Sequence, residues 1–516
     1  MCMRKKGAFL FSLLKNNIPL LLFFFFSLFS VTLFYRYIYF MEFADESGNI
    51  FVHTFFKKGM TLYQEVYMHH QPMAYIMSSW IQEIKDMPSI AMVIKYHRLF
   101  MMGWSFVWGA LLIKRFGYPM LFSVIVLETT KLLLVGHMFL SETLVMYPFL
   151  YLAGTIFVSR FPLKKYEQIF VSLIIWFIFY QLTPLWPFLF AAFLIFLYRN
   201  KSYAQTVFFF TVCGVIITGV ILLYSSPSGY IEDTIISNFR DYIPQSHDNA
   251  GPKTTLKALL APVMALRYAP AGKLLPIIQL FSLVFIILSI RGAITRKYWL
   301  VGGSVFLLFL SGLRYVNPFE ELYGAFHMIP WYAFLVFITF YLGVKWYFTL
   351  NKKYRIAGNL ALICMLILPL YFASGLLFEK RDHETDLYVN FSSFSDYAAA
   401  INIMKAPQDT FFPSPIASLI YWDTDVAPPG RYQFYYGWMD EAPHINASVH
   451  QTFKKNPPTF LYCEGCDKLS IAPYLLQYSP LMRDGKRTHI RILKTKVQTI
   501  TKDQKEKLNF YRFLVQ

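Results

Sequence analysis

Two adjacent carboxylates, Asp45 and Glu46, directly follow the first hydrophobic segment of this sequence, and His53, His69 and His70 come after them. A carboxylate can accept the proton of an attacking hydroxyl, and an imidazole can donate to a phosphate or bind a metal ion. These residue types therefore fit a group-transfer site. The alternative is that the acidic pair belongs to an ordinary solvated loop, and composition alone favours that alternative.

Four further ionisable residues stand beside apolar segments, namely Arg98, Glu142, Arg314 and His327. Charged groups at the ends of membrane spans often act only as interface anchors. Ionisable residues at membrane depth are costly, however, so a cluster of them that faces the interior of a helix bundle indicates function. Together with the acidic pair, these residues predict carboxylates and cations on one side of a membrane.

The composition predicts a membrane protein, whose helices would position these groups. Of the 516 residues 56% are hydrophobic, 19% are aromatic and only 15% are charged. This is too apolar for an ordinary soluble chain, and apolar runs near the length of a membrane-crossing helix recur along it. We predict eleven transmembrane helices, near 17–40, 91–113, 118–136, 138–158, 169–184, 185–198, 206–224, 274–290, 298–313, 328–348 and 356–378.

Basic residues indicate the orientation of these helices. In the eleven-span arrangement the basic loops fall on one side, which the positive-inside rule assigns to the cytoplasm. Part of the net charge of +18 is therefore explained by topology and does not require a nucleic-acid partner. The N-terminus is predicted to be cytoplasmic, with the first span retained. The loop residues concerned are Arg4, Lys5, Lys6, Lys15, Lys114, Arg115, Arg160, Lys164, Lys165, Arg199, Lys201, Arg291, Arg296, Lys297, Lys345, Lys352, Lys353 and Arg355.

Three long segments then lie outside the cytoplasm: 41–90, 225–273 and 379–516. The first has an amphipathic, aromatic pattern that is typical of short helices on a membrane surface. The second is rich in turn formers and predicts a functional or mobile loop. The boundary at residue 379 divides the chain into a transmembrane domain, 1–378, and a soluble domain, 379–516.

The segment 379–516 shows alternating strands and helices, which predict a small α/β domain that binds or packs. Cys463 and Cys466 in this segment favour a local disulfide, with two free thiols as the alternative. The predicted strands are 409–413, 431–436, 459–463 and 489–495. The predicted helices are 395–405, 416–422, 445–455 and 471–478.

With these motifs in view, the sequence resembles the GT-C class of integral-membrane glycosyltransferases, in a pattern similar to protein O-mannosyltransferases and lipid A aminoarabinose transferases. The stretch ADESGNIFVHTFFKKGMTLYQEVYMHHQPMAYI matches their first outer loop with its acidic pair. Arg98 and Glu142 fall where such enzymes carry an arginine and a second acidic residue. FHMIPWYAF resembles a later motif at the outer end of a span. The resemblance is good over 17–160, weaker to 350 and absent from the tail.

The resemblance implies an inverting transfer of a hexosyl or pentosyl group from a polyprenyl-phosphate donor to an extracytoplasmic protein, lipid or cell-envelope glycan. It makes Asp45 the general base. Glu46 has another role, either orienting the acceptor or binding a metal, because adjacent helical residues point about 100° apart. Glu142 holds either the acceptor or Arg98.

Phosphate contacts are assigned to Arg98, Arg314, His327 and His70, since an anionic leaving group calls for cations or donors nearby. A divalent metal ion is a possible cofactor, with Glu46, His69 and His70 as its candidate ligands. The alternative interpretation of the two adjacent histidines is that they are ordinary polar surface residues.

Two other classes of function remain open. A transporter or flippase of a lipid-linked sugar needs ionisable residues near the middle of the membrane, and Glu128 and Lys131 are candidates that can pair on one helix face. A membrane-anchored scaffold would use the 379–516 domain, but it explains neither the acidic pair nor the number of spans.

Overall fold

The computed structural model describes residues 2–246, 252–267, 273–314, 326–347, 352–415 and 417–515. The chain forms two compact units. The helical unit comprises Met1–Ile38, Arg98–Thr218 and Gly251–Arg381. The mixed unit comprises Tyr39–His97, Gly219–Ala250 and Asp382–Gln516, and contains a sheet.

Helices dominate the described residues. In chain order they are α1 (Cys2–Arg36), α2 (Ala44–Lys57), α3 (Met73–Ile84), α4 (Ile90–Phe116), α5 (Tyr118–Thr130), α6 (Ser141–Val158), α7 (Lys165–Phe179), α8 (Trp186–Asn200), α9 (Tyr203–Leu222), α10 (Pro227–Ile231), α11 (Ile243–Ser246), α12 (Pro252–Ala265), α13 (Leu275–Ile294), α14 (Tyr298–Ser311), α15 (Ile329–Tyr347), α16 (Lys352–Phe378), α17 (His383–Met404), α18 (Ser418–Thr424), α19 (Gly437–Glu441), α20 (Pro443–Lys455), α21 (Lys494–Thr499) and α22 (Lys502–Phe510).

Each of the eleven predicted spans coincides with one of these helices. Within the described residues, seven helical segments are long and apolar enough to cross a membrane, so the chain is a polytopic membrane protein. They are Ile18–Arg36, Ile90–Phe116, Ser141–Val158, Tyr203–Leu222, Leu275–Ile294, Phe326–Tyr347 and Arg355–Phe378. The helices at the other four positions, α5, α7, α8 and α14, are shorter than a full span, and their crossing stays a prediction.

Two of these helices, α6 and α15, form the centre of the helical unit. Most of their length is buried, whereas α9 and α16 expose most of theirs. Aromatic rings fill the space between them, for example Phe149 on α6 against Phe334 on α15. A helix that is apolar on every face and buried belongs to the core of a bundle. The starts of α6 and α15 are therefore held firmly in place.

The mixed unit contains a five-stranded sheet in the order β1-β2-β4-β3-β5. The strands are β1 (Phe411–Ser414), β2 (Phe460–Cys463), β3 (Tyr478–Arg483), β4 (Lys486–Leu493) and β5 (Phe513–Val515). β1 and β2 pair in parallel and the other pairs are antiparallel. The predicted α/β character of the tail is confirmed, and β1, β2 and β4 lie where strands were expected.

Two strands were missed and one predicted strand is wrong. β3 contains Pro480, which removes a ladder donor, and the pairing with β4 is irregular just after it. The turn between them is Asp484-Gly485, both with positive φ, which is the backbone conformation of a tight hairpin turn. Residues 431–436 form no strand, because their backbone bonds go singly to separate partners, such as Tyr435 N to the oxygen of Pro413 at 3.1 Å.

The other segments also differ from expectation. Within 225–273, which was predicted to be a loop, α10, two π-helical turns (Glu232–Ile236 and Asn238–Tyr242), α11 and α12 are present. In 41–90 the two helices α2 and α3 do form, but the aromatic face of α2 packs on protein and not on a membrane surface. Phe51 and Phe55 are fully buried and their rings pack on Tyr421 of α18, so protein covers this face.

Cys463 and Cys466 are joined by a disulfide, as the spacing favoured. The bond follows β2 directly, and both residues are buried. It fixes the turn that leads from β2 into the next segment of the sheet.

Candidate functional site

The acidic pair occupies the first turn of α2. Phe43 is extended (φ −140°, ψ 124°) and the helix begins at Ala44, so Asp45 and Glu46 are its second and third residues. Carboxylates are favoured at this end of a helix because the backbone N–H groups there carry partial positive charge. Asp45 is half-buried and Glu46 is buried, so the two carboxylates have different surroundings, as their helical spacing predicted.

Two tyrosines lie within electrostatic range of Asp45. Burial raises the pKa of Tyr75 well above its usual range, and the Asp45 charge raises it further. Burial also raises the pKa of Tyr436, to which the charges of Asp45 and Glu42 add. The charge of Asp45 therefore acts on two phenols that burial keeps protonated.

A buried polar stripe runs along α2 behind the acidic pair. Glu46, Asn49 and His53 are all buried and recur at helical spacing. His53 Nδ1 lies 2.9 Å from Ser79 Oγ on α3. Burial lowers the pKa of His53 to about 4, so its imidazole is neutral at physiological pH. This histidine joins two helices and is not a cation for phosphate.

His69 and His70 belong to an aromatic cluster. The ring centroids are 4.0 Å apart, and His69 also lies 4.6 Å from the ring of Tyr242 and 5.4 Å from that of Trp438. The backbone oxygen of His69 accepts a 2.6 Å hydrogen bond from Asn238. Among the residues that the structure describes, no group of three or more His, Cys, Asp or Glu side chains is placed to hold a metal ion. The ligand set Glu46, His69 and His70 stays a prediction.

Three of the predicted residues meet in the helical unit. Glu142 is in the first turn of α6, and its Oε1 lies 2.8 Å from Nδ1 of His327 and 3.6 Å from Nη1 of Arg314. His327 lies in a 3₁₀ turn, Phe326–Met328, that leads into α15. A carboxylate with two basic partners, all largely buried, forms an electrostatic unit at the ends of three chain segments.

Arg98 is fully buried within α4. Its Nη1 donates a 2.9 Å hydrogen bond to the backbone oxygen of Ile38, at the end of the first helical segment. An arginine without exposed surface is rare unless its donors are satisfied. This contact therefore anchors the guanidinium, whose planar fork presents five N–H donors in total.

A buried ion pair that sequence reasoning did not find links distant segments of the mixed unit. Arg431 Nη2 lies 2.5 Å from Asp233 Oδ1 and donates a 2.8 Å bond to the oxygen of Tyr63. Burial raises the pKa of Asp233 to about 7, against the lowering effect of Arg431. The two residues are 198 positions apart in the chain, so sequence spacing could not predict that they pair.

The seven membrane-spanning helices, the sheet-containing unit and the acidic helix start define an integral-membrane protein with a GT-C-type fold. One similar solved structure is ArnT from Cupriavidus metallidurans bound to undecaprenyl phosphate, with a TM-score of 0.50 over 94% of this chain and 99% of that one. The sequences are 12% identical, so the likeness shows the fold, and it confirms the predicted class. No protein-family model matches this sequence, and a comparison with curated proteins finds no match.

Proposed function

We propose that this protein transfers a sugar from a polyprenyl-phosphate-linked donor to an acceptor outside the cytoplasm. The observation that carries the proposal is the fold shared with ArnT, whose structure holds undecaprenyl phosphate, over nearly the whole length of both chains. A donor with a lipid tail needs a protein that reaches into the membrane, and seven spanning helices supply one. The acceptor is a protein, a lipid or a cell-envelope glycan.

Asp45 is the general base of the proposed reaction. The acceptor oxygen forms a bond to the anomeric carbon as the bond from that carbon to the phosphate oxygen breaks. The acceptor proton passes to Asp45, and the electron pair leaves with the phosphate, so the anomeric centre inverts. The half-buried position of Asp45 supports the assignment, because a base must meet substrate yet be shielded from bulk water. Glu46 orients the acceptor or, with His69 and His70, binds a divalent metal ion.

The cations serve the donor phosphate in this proposal. Arg98, Arg314, His327 and His70 are assigned to that anion, because charge-assisted hydrogen bonds stabilise a leaving phosphate as its charge develops. Glu142 holds Arg314 and His327 in place. A hexosyl or pentosyl group is transferred, and a mannosyl group is one candidate.

We further propose that the N-terminus is cytoplasmic and the 379–516 segment extracytoplasmic, since basic residues alternate between loops. The segment 379–516 is proposed as a domain of its own beside a transmembrane domain of 1–378. The structure groups the segments 39–97 and 219–250 with that tail in one compact unit. A role in positioning the acceptor fits a unit that also carries Asp45.

The transporter alternative depends on Glu128 and Lys131. Lys131 Nζ lies 2.7 Å from Glu128 Oε1 and 3.0 Å from Ser105 Oγ, while Ser30 and Tyr147 donate to the same carboxylate. The predicted pairing is confirmed. An ion pair with this many local partners is suited to locking helices together, which favours a structural role over the carriage of a substrate or ion.

The test is transfer of labelled sugar by the purified full chain in lipid, with a panel of undecaprenyl-phosphate-linked sugars and with protein, lipid and glycan acceptors. The proposal predicts turnover with at least one pair and none with nucleotide sugars alone. A parallel assay in sealed vesicles follows movement of the donor across the bilayer. Donor movement without transfer for every pair would replace the glycosyltransferase with the transporter.

A further inference from the structure

The tyrosine at the start of α3 combines complete burial with a hydroxyl that bonds to nothing. Tyr75 is 0% exposed and lies in the first turn of the helix. Its oxygen has no hydrogen-bond partner among the residues that the structure describes. A buried hydroxyl without a partner is unfavourable, because it has given up its water and received nothing in exchange.

The other buried tyrosines of the mixed unit show how unusual this is. Tyr63 donates to the oxygen of His70 at 2.8 Å, Tyr435 donates to Asp440 at 2.7 Å, and Tyr478 donates to the oxygen of Pro458 at 2.8 Å. Tyr421 bonds to two backbone oxygens, those of Phe411 and Gln433. These four tyrosine hydroxyls are satisfied within the unit, whereas Tyr75 shares its lack of a partner with the smaller hydroxyl of Ser418 among the described residues of that unit.

Tyr75 lies on a helix that packs against α2, the helix of the acidic pair. The contacts between the two helices include a 3.0 Å hydrogen bond from Gln82 to the oxygen of Ile50. Asp45 lies near enough for its charge to act on the phenol, yet the two side chains share no hydrogen bond. The hydroxyl is therefore within electrostatic range of the carboxylate without being its hydrogen-bond partner.

We propose that the Tyr75 hydroxyl is a substrate-binding group, which donates a hydrogen bond to an oxygen of the sugar-phosphate head of the donor. This inference rests on the proposed glycosyl transfer and adds a contact to it. The phenol keeps its proton at physiological pH because burial raises its pKa, so it donates and cannot act as a base.

Complete burial also constrains the bound state. A ligand that reaches this hydroxyl is itself enclosed by protein, so water is excluded from the reacting atoms. A neutral hydroxyl is chemically suitable here, because it can donate to a sugar or phosphate oxygen without itself adding charge near Asp45. The Tyr75 hydroxyl forms a hydrogen bond only when substrate is present. Because the unbonded hydroxyl destabilises the free protein, forming this bond favours substrate binding.

The test uses Tyr75→Phe, which keeps the ring and removes the hydroxyl, with Tyr421→Phe as the matched control. We expect Tyr75→Phe to leave the thermal midpoint unchanged or to raise it, because it deletes an unsatisfied group. Tyr421→Phe should lower the midpoint, because two buried carbonyls lose their donor. Tyr75→Phe should nevertheless reduce kcat/KM for transfer by about 10- to 100-fold, the usual effect of one lost hydrogen bond.

Two ligand arms identify the oxygen. The shift in thermal midpoint is measured with undecaprenyl phosphate and with the sugar-linked donor. A smaller shift with both in Tyr75→Phe assigns the bond to the phosphate, and a smaller shift with the sugar-linked donor alone assigns it to the sugar.

Several results would overturn the assignment. A drop in midpoint like that of Tyr421→Phe would mean that the hydroxyl already has a partner, such as a buried water. If Tyr75→Phe changes neither the thermal midpoint, nor the ligand-induced shifts, nor sugar transfer, the hydroxyl does not bind substrate and is only an imperfection of packing. If wild-type protein transfers no sugar, the proposed function fails, while the two ligand shifts still decide whether Tyr75 contacts a sugar-phosphate.

Discussion

Nδ1 of His327 lies 2.8 Å from Oε1 of Glu142, although 185 residues separate the two in the chain. An ionised carboxylate only accepts, so the imidazole Nδ1–H donates this bond and the ring presents its other nitrogen elsewhere. The pair joins the start of α6 to the turn before α15, the two most buried helices of the helical unit. It therefore orients a histidine at the end of a rigid element, as a binding group requires.

The first prediction is that Glu142 and His327 are energetically coupled. Glu142→Gln and His327→Gln each lower the thermal midpoint, because each leaves a largely buried polar partner unsatisfied. The double variant should lose less than the sum, with a coupling energy of about 1 to 3 kcal/mol. Thermal unfolding of the three variants in detergent measures the coupling. Glu506→Gln, at an exposed carboxylate, is the control and should change nothing.

Strict additivity of the two single changes would show that the contact contributes no stability. Arg314 is the second basic neighbour of Glu142, at 3.6 Å, and would then be its main partner. A cycle of Glu142→Gln with Arg314→Gln separates these outcomes.

The second prediction concerns Glu128 and Lys131. Lys131→Met leaves a buried carboxylate without its cation and should destabilise the protein by about 3 to 5 kcal/mol. Adding Glu128→Gln removes the uncompensated charge and should recover much of this loss. The recovered double variant should still transfer sugar. Loss of donor movement across vesicles in that variant, with no transfer by wild type, would instead support the transporter.

The third prediction is a pH dependence set by Asp233. Its pKa is about 7 in the folded protein because it is buried, above the ordinary value of 3.8. The folded state therefore binds a proton more tightly than the unfolded state. The resulting stability is fully present below about pH 4 and is lost as pH rises through about 7, with a slope of at most about 1.4 kcal/mol per pH unit.

Asp233→Asn should remove this component, since an amide does not titrate. Thermal midpoints measured from pH 4 to pH 8 should fall in wild type and be flatter in the variant. An equal or steeper fall in Asp233→Asn would assign the titration to another group. Arg431 Nη2 still reaches the oxygen of Tyr63 in the variant, so the contact between segments is weakened and not abolished.

The sequence predicted the elements of the fold better than their packing. Apolar runs fix where helices form, and alternation of strands with helices marks the tail. β3 was missed because Pro480 argues against a strand, although the Asp484-Gly485 pair that follows is a strong turn signal. The amphipathic pattern around Phe51 and Phe55 predicted an apolar face on a membrane surface, whereas protein covers that face of α2. It could not show that Tyr421, far along the chain, covers it.

The candidate site divides in the same way. Residue type and spacing singled out Asp45 and Glu46, and they predicted that the two carboxylates point in different directions. They also singled out Glu142 and His327, which meet in space. Tyr75 carries no such signal, because an aromatic residue in an apolar helix is most often core. Only its missing hydrogen bond, which depends on the folded structure, distinguishes it.

The fourth prediction tests the orientation of the chain. Reporter fusions placed after Lys201 and after Lys380 should report opposite sides of the membrane, with Lys201 cytoplasmic. The reason is the alternation of basic loops, since Lys and Arg are retained on the cytoplasmic side during insertion. A fusion after Lys297 serves as the control and should match Lys201. Two fusions on the same side at Lys201 and Lys380 would make the number of spans between them even, and with Lys201 cytoplasmic the tail would be cytoplasmic too.

The last prediction separates the two members of the acidic pair. Asp45→Asn keeps shape and hydrogen-bonding capacity but removes the proton acceptor, so kcat should fall by about 10² to 10⁴-fold while donor binding persists. Glu46→Gln should affect transfer less. Glu46 is only 1% exposed, so its replacement should act mainly through the thermal midpoint. Initial rates over a range of donor concentrations separate kcat from KM, and Asp86→Asn is the control at an exposed carboxylate. Full activity in Asp45→Asn would remove Asp45 as the base, and loss of kcat in Glu46→Gln alone would transfer that role to Glu46.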